Sequence, residues 1–509
     1  MILDGHNDLL LRVWRGQPLR HLDLHRAAAG GYAGGFFALF VPGDGLGHEP
    51  EPPYAQQLAG PVEQGEARRV ADEQAAILER LDVEIARQPD DFQPGRITAV
   101  MHLEGAEPLA PDLSDLHEWH ERGLRSVGLV WARRNAFAEG VPFAFPSSAD
   151  TGPGLTEAGR LLVRACNRMG ILVDVSHLNE VGFWDVADTS TAPLVATHSN
   201  AHALCASSRN LDDEQLAAIG KSDGVVGVNF AVSFLRADGR PDPATPIAEI
   251  VRHLDYIAER IGDDHVAFGS DFEGATLPDE LDGVSGLPRL VDALRAHGYD
   301  ETALAKITHR NWLRVLDRTW RPWRRYFDHA GEEPRATLLE AIRAFAAPGL
   351  AVDLGCGTGR DTFELLRAGW SVVAIDREQE AIDRLRAAAC ADDDGRLTTR
   401  VASIEDAAWP RCDLVNASFV LPFTRPGQFG DVWQRIVDSL RPGGRFSGQL
   451  FGPHDAWAGT GIVVQRRSEL DELLEPFLVE RLDEIDEDGS TAVGTPKHWH
   501  LYHIVARKR

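Results

Sequence analysis

The sequence lacks net positive charge, has few cysteines and contains no long apolar run, and each shortage excludes a class of protein. The 509-residue chain carries a formal net charge of -26, so nucleic acid and anionic membranes would repel it. Its five scattered cysteines are an odd number without paired spacing, which predicts reduced thiols and a cytoplasmic location. No apolar stretch approaches the length of a bilayer-spanning helix. Because a first strand is predicted to begin at Ile2, we expect no signal peptide.

The length and composition are those of a globular protein with more than one domain. With 43% hydrophobic and 26% charged residues the composition is typical of soluble proteins, and 509 residues exceed what one core usually holds. The composition changes near residues 316–334, where arginines alternate with Trp320, Trp323 and Tyr326. In an acidic protein this run favours a packed connector, or the first helix of a new domain, over a nucleic-acid contact. We predict domains at residues 1–320 and 321–509.

The opening strand organises the first domain. It ends at Gly5 and sets His6 and Asp8 two residues apart, on the same face of an extended backbone, which suits them to bind a metal ion. Four further apolar runs end in a candidate ligand or acid, namely Glu104, His177, His198 and Asp271. In a barrel of parallel strands the C-terminal strand ends converge on one mouth. We therefore expect these side chains to meet.

The motifs at these strand ends resemble those of the renal or membrane dipeptidase family of zinc peptidases. The resemblance covers roughly residues 1 to 318 and implies a (β/α)8 TIM-like barrel that hydrolyses dipeptides. The matching segments are His6-x-Asp8, Glu104-Gly105, the Asp-x-Ser-His that ends at His177, His198 to Ala201, Cys205 to Asn210, Gly269 to Phe272, and Asn311-Trp312.

The resemblance also implies roles for individual residues. It implies two Zn²⁺ ions, with His6 and Asp8 on one, His177 and His198 on the other, and Glu104 bridging both. Asp271 is expected to shuttle a proton to the leaving amine, and Arg209, eleven residues after His198, to clamp the substrate's terminal carboxylate.

The chain departs from the family pattern at one position. Where the family usually places a substrate-contacting histidine, this sequence has Trp131, which offers only an indole N–H donor. We expect metal binding to survive this change, while rate or substrate choice differs from the family's.

Three local predictions complete the first domain. The Gly- and Pro-rich loop at Pro42–Pro53 is either a flap near the barrel mouth or a plain surface excursion. Apolar residues at helical spacing predict one helix over Glu66–Arg87. Thr156 is expected to cap a helix that runs through Met169.

The second domain opens with a strand, a turn containing Gly355 and Gly357, a helix, and a second strand that ends at Asp376. This order is typical of a Rossmann-type half, in which the acid accepts hydrogen bonds from ribose hydroxyls. With Asp353 before the turn, the segment resembles the first motif of class I S-adenosylmethionine-dependent methyltransferases, closest to small-molecule enzymes of the tellurite-resistance type. The resemblance implies a set of S-adenosylmethionine contacts: Asp353, Gly355, Gly357, Asp376, Ile404 and Glu405.

The last segment, Lys497–Ala506, alternates like an edge or antiparallel strand. Its histidines at positions 498, 500 and 503 are better explained as residues on ordinary strand faces than as a metal site.

The sequence therefore predicts an α/β protein in which a TIM-like zinc dipeptidase barrel is fused to a Rossmann-like class I methyltransferase domain. The expected partners are small molecules, a dipeptide and a methyl acceptor, and a homodimer is left open. The fusion suggests consecutive steps on one metabolite, such as a Cys-Gly-type thiol conjugate that is trimmed and then S-methylated. One alternative is that only the methyltransferase is active and the Trp131-containing barrel is a binding or scaffolding module. Another is a non-enzymatic interaction protein.

Overall fold

The computed structural model describes residues 1–27, 30–43, 52–55, 60–390, 393 and 395–509. The chain divides into two compact units, Met1–Pro322 and Trp323–Arg509. No helix among these residues has the length and hydropathy needed to cross a bilayer. Most of the loop that the sequence places at Pro42–Pro53 lies outside the described residues.

The first unit is a nearly closed barrel of parallel strands. Its strands are β1 (Ile2–Asn7), β2 (Tyr32–Phe40), β3 (Tyr54–Ala55), β4 (Glu84–Ile85), β5 (Thr98–Glu104), β6 (Leu124–Gly128), β7 (Ala144–Phe145), β8 (Leu172–Asp174), β9 (Val195–Ala196), β10 (Val225–Val228) and β11 (Val266–Phe268). Eight of them form the barrel in the order β1-β2-β5-β6-β8-β9-β10-β11, with β4 added beside β5. Backbone bonds from Asp8 N to Phe272 O (2.8 Å) and from Asp271 N to His6 O (3.1 Å) join the two ends of the sheet. The predicted TIM-like barrel is confirmed.

Helices surround this barrel. They are α1 (Leu9–Trp14), α2 (Leu24–Ala27), α3 (Gln64–Leu78), α4 (Leu116–Arg122), α5 (Glu157–Met169), α6 (Glu180–Thr189), α7 (Asp213–Lys221), α8 (Val232–Leu235), α9 (Ala248–Ile261), α10 (Leu287–His297), α11 (Glu301–Ala305) and α12 (Asn311–Trp320). The cap predicted for α5 is confirmed, because the Thr156 hydroxyl accepts the Gly159 N–H. The single helix predicted over Glu66–Arg87 is wrong in its second half. The helix ends at Leu78, and Glu84–Ile85 pair with β5, because the apolar residues that follow Leu78 suit a short strand as well as a helix turn.

Trp312 of α12 closes the interior of the barrel. Its indole is fully buried and donates to the Phe268 carbonyl at 3.1 Å. A Cβ atom on Gly5 would lie 2.6 Å from this ring and 2.1 Å from the Thr197 carbonyl oxygen. The glycine that precedes His6 is therefore required for close packing at the barrel axis.

The second unit is a mixed sheet flanked by helices. Its strands are β12 (Leu350–Leu354), β13 (Ser371–Asp376), β14 (Leu397–Val401), β15 (Cys412–Ala417), β16 (Leu440–Phe451), β17 (Phe477–Ser490) and β18 (Pro496–Lys508). Its helices are α13 (Pro322–His329), α14 (Ala336–Arg343), α15 (Arg360–Arg367), α16 (Gln379–Ala388), α17 (Phe429–Ser439) and α18 (Arg467–Leu473). The strand order is β14-β13-β12-β15-β16-β18-β17. Strands β12 to β16 run parallel, and β18 lies antiparallel between β16 and β17. The predicted Rossmann-like sheet and the antiparallel course of the last segment are both confirmed.

Candidate metal centre and cofactor site

The strand ends of the barrel bring the predicted ligands together. His6 lies near the end of β1, Glu104 is the last residue of β5, and His177 and His198 follow β8 and β9. All four side chains are at most 6% exposed. His177 has a φ of 65°, a left-handed conformation that a non-glycine residue adopts at an energetic cost and that is common at functional sites.

The Glu104 carboxylate lies between the histidines. Its Oε2 is 3.6 Å from His6 Nε2, and its Oε1 is 3.1 Å from His177 Nε2 and 3.7 Å from His198 Nε2. The His177 and His198 Nε2 atoms are 3.0 Å apart. One carboxylate thus faces the ring nitrogens of three histidines.

A second cluster of donors adjoins the first through His6. His6 Nε2 is 3.5 Å from Asp8 Oδ2, and donor atoms of His6, Asp8 and Asp271 lie within 4.8 Å of one another. His6, Glu104 and His198 form another such group with the same limit. The structure therefore brings all six predicted metal and proton-transfer residues of the barrel into one site.

The electrostatic environment favours the metal-binding form for two of these groups and a protonated form for the other two. Burial lowers the pKa values of His177 and His198 well below the usual range, so both imidazoles are neutral. Burial would also lower the pKa of His6, but the carboxylates of Glu104 and Asp8 outweigh it and raise the value to about 10. Burial raises the pKa of Glu104 well above its usual value. Metal binding at His6 and Glu104 would therefore release protons, because metal ligands must be deprotonated.

The buried donors fit zinc. Among the described residues, both ring nitrogens of His6 and the Nδ1 atom of His177 have no hydrogen-bond partner, although buried polar atoms normally have one. Imidazole nitrogens and carboxylate oxygens are the ligands that Zn²⁺ takes in catalytic sites. His6, Asp8, Glu104, His177 and His198 therefore offer a donor set that matches the metal implied by the sequence.

A chain of hydrogen bonds fixes the ring of His198. The sequence motifs did not predict this chain. The Thr197 hydroxyl lies 2.6 Å from Asp174 Oδ2 and 2.8 Å from His198 Nδ1. A carboxylate only accepts, so the hydroxyl donates its proton to Asp174 and its oxygen accepts the His198 Nδ1–H. This chain leaves the Nε2 lone pair of His198 free to face Glu104, as outer-shell partners of metal-binding histidines do.

Other buried polar residues position the acids of the site. The Asn229 side chain donates to Asp271 Oδ2 at 2.9 Å, and burial raises the pKa of Asp271. Asp4 accepts hydrogen bonds from Ser270 N (2.6 Å) and Ser270 Oγ (2.7 Å), which fixes the segment that carries Asp271 next to β1. Asn229 and Asp4 were missed at the sequence level. Asp4 lies within β1 rather than at its end, and Asn229 follows β10 without a recognised motif.

Arg209 and Trp131 border the candidate metal centre. Arg209 is 3% exposed, and it donates to Ser199 Oγ at 3.1 Å and to the His198 carbonyl at 2.9 Å. Its Nε atom has no partner among the described residues. The Trp131 ring centroid is 6.0 Å from that of His177, and Phe143 lies 5.3 Å from Trp131. A guanidinium with an unused donor and an aromatic wall thus lie on the approaches to the metal ligands.

In the second unit, the glycine turn after β12 borders a cavity of about 790 Å³. Gly355 and Gly357 have φ values of 65° and 53°, which favour glycine. A Cβ atom on Gly357 would meet only Phe327, at 3.8 Å, so this backbone faces open space in which a ligand can approach it. Asp376 Oδ2 accepts the Gly357 N–H at 2.9 Å and holds the turn beside the end of β13.

Four of the six predicted cofactor residues line the cavity, and the other two do not. Gly355, Gly357, Asp376 and Ile404 line the cavity. Asp353 is buried beneath the turn, where it accepts from Thr362 Oγ1 (2.6 Å) and Asn416 Nδ2 (2.9 Å). The Glu405 carboxylate accepts the Arg425 backbone N–H at 2.6 Å, and it does not line the cavity. The contacts of all six residues with a cofactor stay predictions.

Comparison with known proteins identifies both units. A family described as "Membrane dipeptidase (Peptidase family M19)" matches residues 1–321, and a family described as "Methyltransferase domain" matches residues 351–444. A metallo peptidase from Rhodobacter sphaeroides, solved with a phosphinate mimic of the dipeptide L-Ala-D-Ala, is 47% identical with a TM-score of 0.61. That match covers 63% of this chain and 99% of the other.

Curated relatives match the same part of the chain. "Dipeptidase tcpJ" of Claviceps purpurea is 30% identical over 339 residues, which cover 62% of this chain and 76% of the relative. A Klebsiella pneumoniae protein described as "Uncharacterized protein in pqqA 5'region" is 55% identical over 224 residues, which cover 44% of this chain and 83% of the relative.

Proposed function

Because the chain belongs to the membrane dipeptidase family, peptidase family M19, and carries a methyltransferase domain, we propose that it is a bifunctional enzyme. The first domain, which we place at residues 1–320, hydrolyses dipeptides or dipeptide-like conjugates in a zinc-dependent reaction. The second, at residues 321–509, methylates a small molecule with S-adenosylmethionine. Five cysteines without a disulfide support a cytoplasmic location, where thiols stay reduced.

The position of Glu104 carries the peptidase proposal. One buried carboxylate lies within 3.7 Å of the Nε2 atoms of three histidines, His6, His177 and His198, and Asp8 adds a second carboxylate beside His6. We assign these five residues as ligands of two zinc ions. Bound zinc would supply Lewis acidity that polarises a peptide carbonyl and lowers the pKa of water.

The neighbouring residues bind and orient the substrate. Arg209 would hold the free carboxylate of a dipeptide through its unused guanidinium donor, which restricts the substrate to a short peptide with a free C-terminus. Asp271, held by Asn229 at 2.9 Å, would carry a proton to the leaving amine, and its raised pKa suits it to hold that proton. Trp131 would contact the substrate side chain through its ring rather than through an imidazole.

The second domain binds its cofactor at the glycine turn. The turn of Gly355 and Gly357, in which the Gly357 backbone faces open space, would approach the cofactor. The Asp376 carboxylate at the end of β13 would accept from ribose hydroxyls. Ile404 would contact the adenine. S-adenosylmethionine supplies a methyl group already activated as a sulfonium, so the protein mainly has to position the acceptor.

One set of measurements tests both activities. Zinc content, turnover of L-Ala-D-Ala and of its C-terminal amide, and calorimetric binding of S-adenosylhomocysteine are compared between the full chain and Glu104→Gln. We expect two zinc ions per chain and hydrolysis of the free dipeptide. We expect Glu104→Gln to lose hydrolysis by at least a hundredfold and to keep S-adenosylhomocysteine binding. Intact S-adenosylhomocysteine binding by a wild-type chain that hydrolyses no dipeptide would favour the alternative, in which the Trp131-containing barrel only binds or scaffolds.

A further inference from the structure

Part of the cavity in the second unit is walled by aromatic rings. Six cavity-lining residues form what we call the aromatic box: Trp323, Phe419, Phe423, Phe451, Trp457 and Trp499. Each ring lies 5.1 to 6.3 Å from at least one other, mostly edge to face. All except Phe451 are only partly buried, so ring surface remains for a ligand. Apolar, aromatic linings with few polar groups are typical of small-molecule sites.

The segment Ser418–Val420 connects the aromatic box to the cofactor turn. Val420 packs against Gly355, where an added Cβ atom would lie 2.5 Å from the valine side chain. The next residue back, Phe419, has a φ of 56° and directs its ring toward Phe451 and Trp499, at 6.3 and 6.2 Å. A bulky residue is rarely held in the left-handed region without a functional reason. The box therefore adjoins the turn that we assign to the cofactor.

A buried ion pair lies against three rings of the box. Lys497 Nζ is 2.6 Å from each oxygen of Asp455, and the two side chains are 2% and 0% exposed. The same ammonium lies 3.4 Å from the ring centroid of Trp499, 4.2 Å from Trp457 and 4.8 Å from Phe451. These rings therefore already have a cation, supplied by the chain itself.

A second cation of the chain covers another ring. The Arg335 guanidinium carbon lies 4.6 Å from the Phe419 ring centroid. Four carboxylates line the cavity. Asp376 and Glu378 lie at or just after the end of β13, and Glu333 and Glu487 are solvent-exposed, so water screens these two. Lys497 and Arg335 thus already lie over four rings of the box. A cationic ligand would gain little further cation–π stabilisation there, whereas an uncharged planar ligand can stack on the free ring faces.

We propose that the aromatic box binds the methyl acceptor and that the acceptor is an uncharged, planar aromatic or heteroaromatic compound. This inference rests on the proposed methyltransferase function of the same cavity. The acceptor's nitrogen, oxygen or sulfur lone pair forms the bond to the methyl carbon. The electron pair of the broken carbon–sulfur bond returns to sulfur and yields S-adenosylhomocysteine, and the acceptor's proton passes to solvent.

Three probes of similar size test the inference on the full chain saturated with S-adenosylhomocysteine. Calorimetry measures the binding of 2-naphthol (planar, uncharged), decahydro-2-naphthol (uncharged, not planar) and N-methylquinolinium (planar, cationic). We expect 2-naphthol to bind at least tenfold more tightly than either of the others. Equal or tighter binding of the cation or the saturated alcohol, or no binding of any probe to the S-adenosylhomocysteine complex, would overturn the inference and leave the methyltransferase assignment standing. Failure of S-adenosylhomocysteine itself to bind would overturn both.

Three variants test where the probe binds and why the cation is disfavoured. Trp323→Leu removes one partly buried wall of the box and should weaken 2-naphthol binding about fivefold without changing S-adenosylhomocysteine binding. Trp409→Leu is the matched control, because Trp409 is also partly buried but bonds to Ser439 at 3.0 Å and does not line the cavity. The double variant Lys497→Met/Asp455→Asn removes the buried charges together and should reduce the discrimination against N-methylquinolinium at least threefold. Unchanged 2-naphthol binding in Trp323→Leu would refute the location, whether or not the double variant folds.

Discussion

Replacing Thr197 by valine tests whether the Asp174–Thr197–His198 chain prepares a metal ligand. Valine has the shape of threonine without the hydroxyl, so the change removes the bonds of 2.6 Å to Asp174 and 2.8 Å to His198. The backbone cannot readily shift, because added Cβ atoms on Gly5, Gly227 and Gly269 would all lie within 2.1 Å of the Thr197 carbonyl oxygen. The perturbation is therefore confined to the side chain.

The magnitude follows from the two buried atoms that lose their partner. Asp174 keeps bonds to its Oδ1 from Ser176 N and Thr197 N, each at 2.9 Å, but its Oδ2 and His198 Nδ1 lose the hydroxyl. Leaving buried polar groups unsatisfied costs about 1–3 kcal/mol of stability each. Outer-shell changes of this kind lower metal affinity or activity by roughly 10- to 100-fold, which corresponds to about 1.4–2.8 kcal/mol.

The assay is hydrolysis of L-Ala-D-Ala during a zinc titration. Thr197→Val should need a higher zinc concentration for half-maximal activity and should recover part of its activity in excess zinc, whereas Thr197→Ser should stay near wild type. Thr308→Val is a matched control, because Thr308 is also buried and followed by a histidine, with its hydroxyl 2.7 Å from the Leu304 carbonyl and 3.0 Å from His309 Nδ1. That variant should lose stability without a change in zinc dependence. An unchanged zinc titration for a folded Thr197→Val protein would refute the reasoning.

Three further variants test the assigned residues. Arg209→Lys should lower kcat/KM for L-Ala-D-Ala by at least tenfold, because a charged hydrogen bond is worth about 1.5–3 kcal/mol. An equal loss with the C-terminal amide would argue against a carboxylate clamp. Trp131→Leu should raise KM for dipeptides with large apolar side chains more than for L-Ala-D-Ala, with zinc content unchanged; a loss of zinc would instead give Trp131 a structural role. Asp376→Asn should weaken S-adenosylmethionine binding by about tenfold in calorimetry while dipeptide turnover stays constant, since a charged acceptor becomes a neutral one; unaltered affinity would remove Asp376 from the cofactor site.

The candidate metal ligands at the strand ends were the part of the site that the sequence could predict. His6, Glu104, His177 and His198 each follow an apolar run, and parallel strands in a barrel must bring such positions together. The prediction of one helix over Glu66–Arg87 was wrong in the part where the apolar pattern fits both a helix and a strand. Ile85 fits the apolar face of a helix, but it lies in a short strand and pairs with Ala99. Periodicity does not distinguish these outcomes when the apolar run is short.

The supporting residues were not predictable, for a physical reason. The Thr-His pair at Thr197–His198 recurs at Thr308–His309, where the hydroxyl instead donates to a helical carbonyl, so the dipeptide alone carries no information about its role. The aromatic box draws on residues between 323 and 499 that share no spacing. Lys497 and Trp499 share a face of β18 because they are two residues apart, but only the fold brings Phe451 and Trp457 to the same ammonium.

The zinc content of the purified full chain, measured by mass spectrometry together with L-Ala-D-Ala turnover, tests the central claim most directly. We predict two zinc ions per chain, loss of turnover on chelation, and recovery when zinc is restored. A chain that holds no transition metal after incubation with zinc, or that hydrolyses the dipeptide equally well after complete zinc removal, would contradict the account.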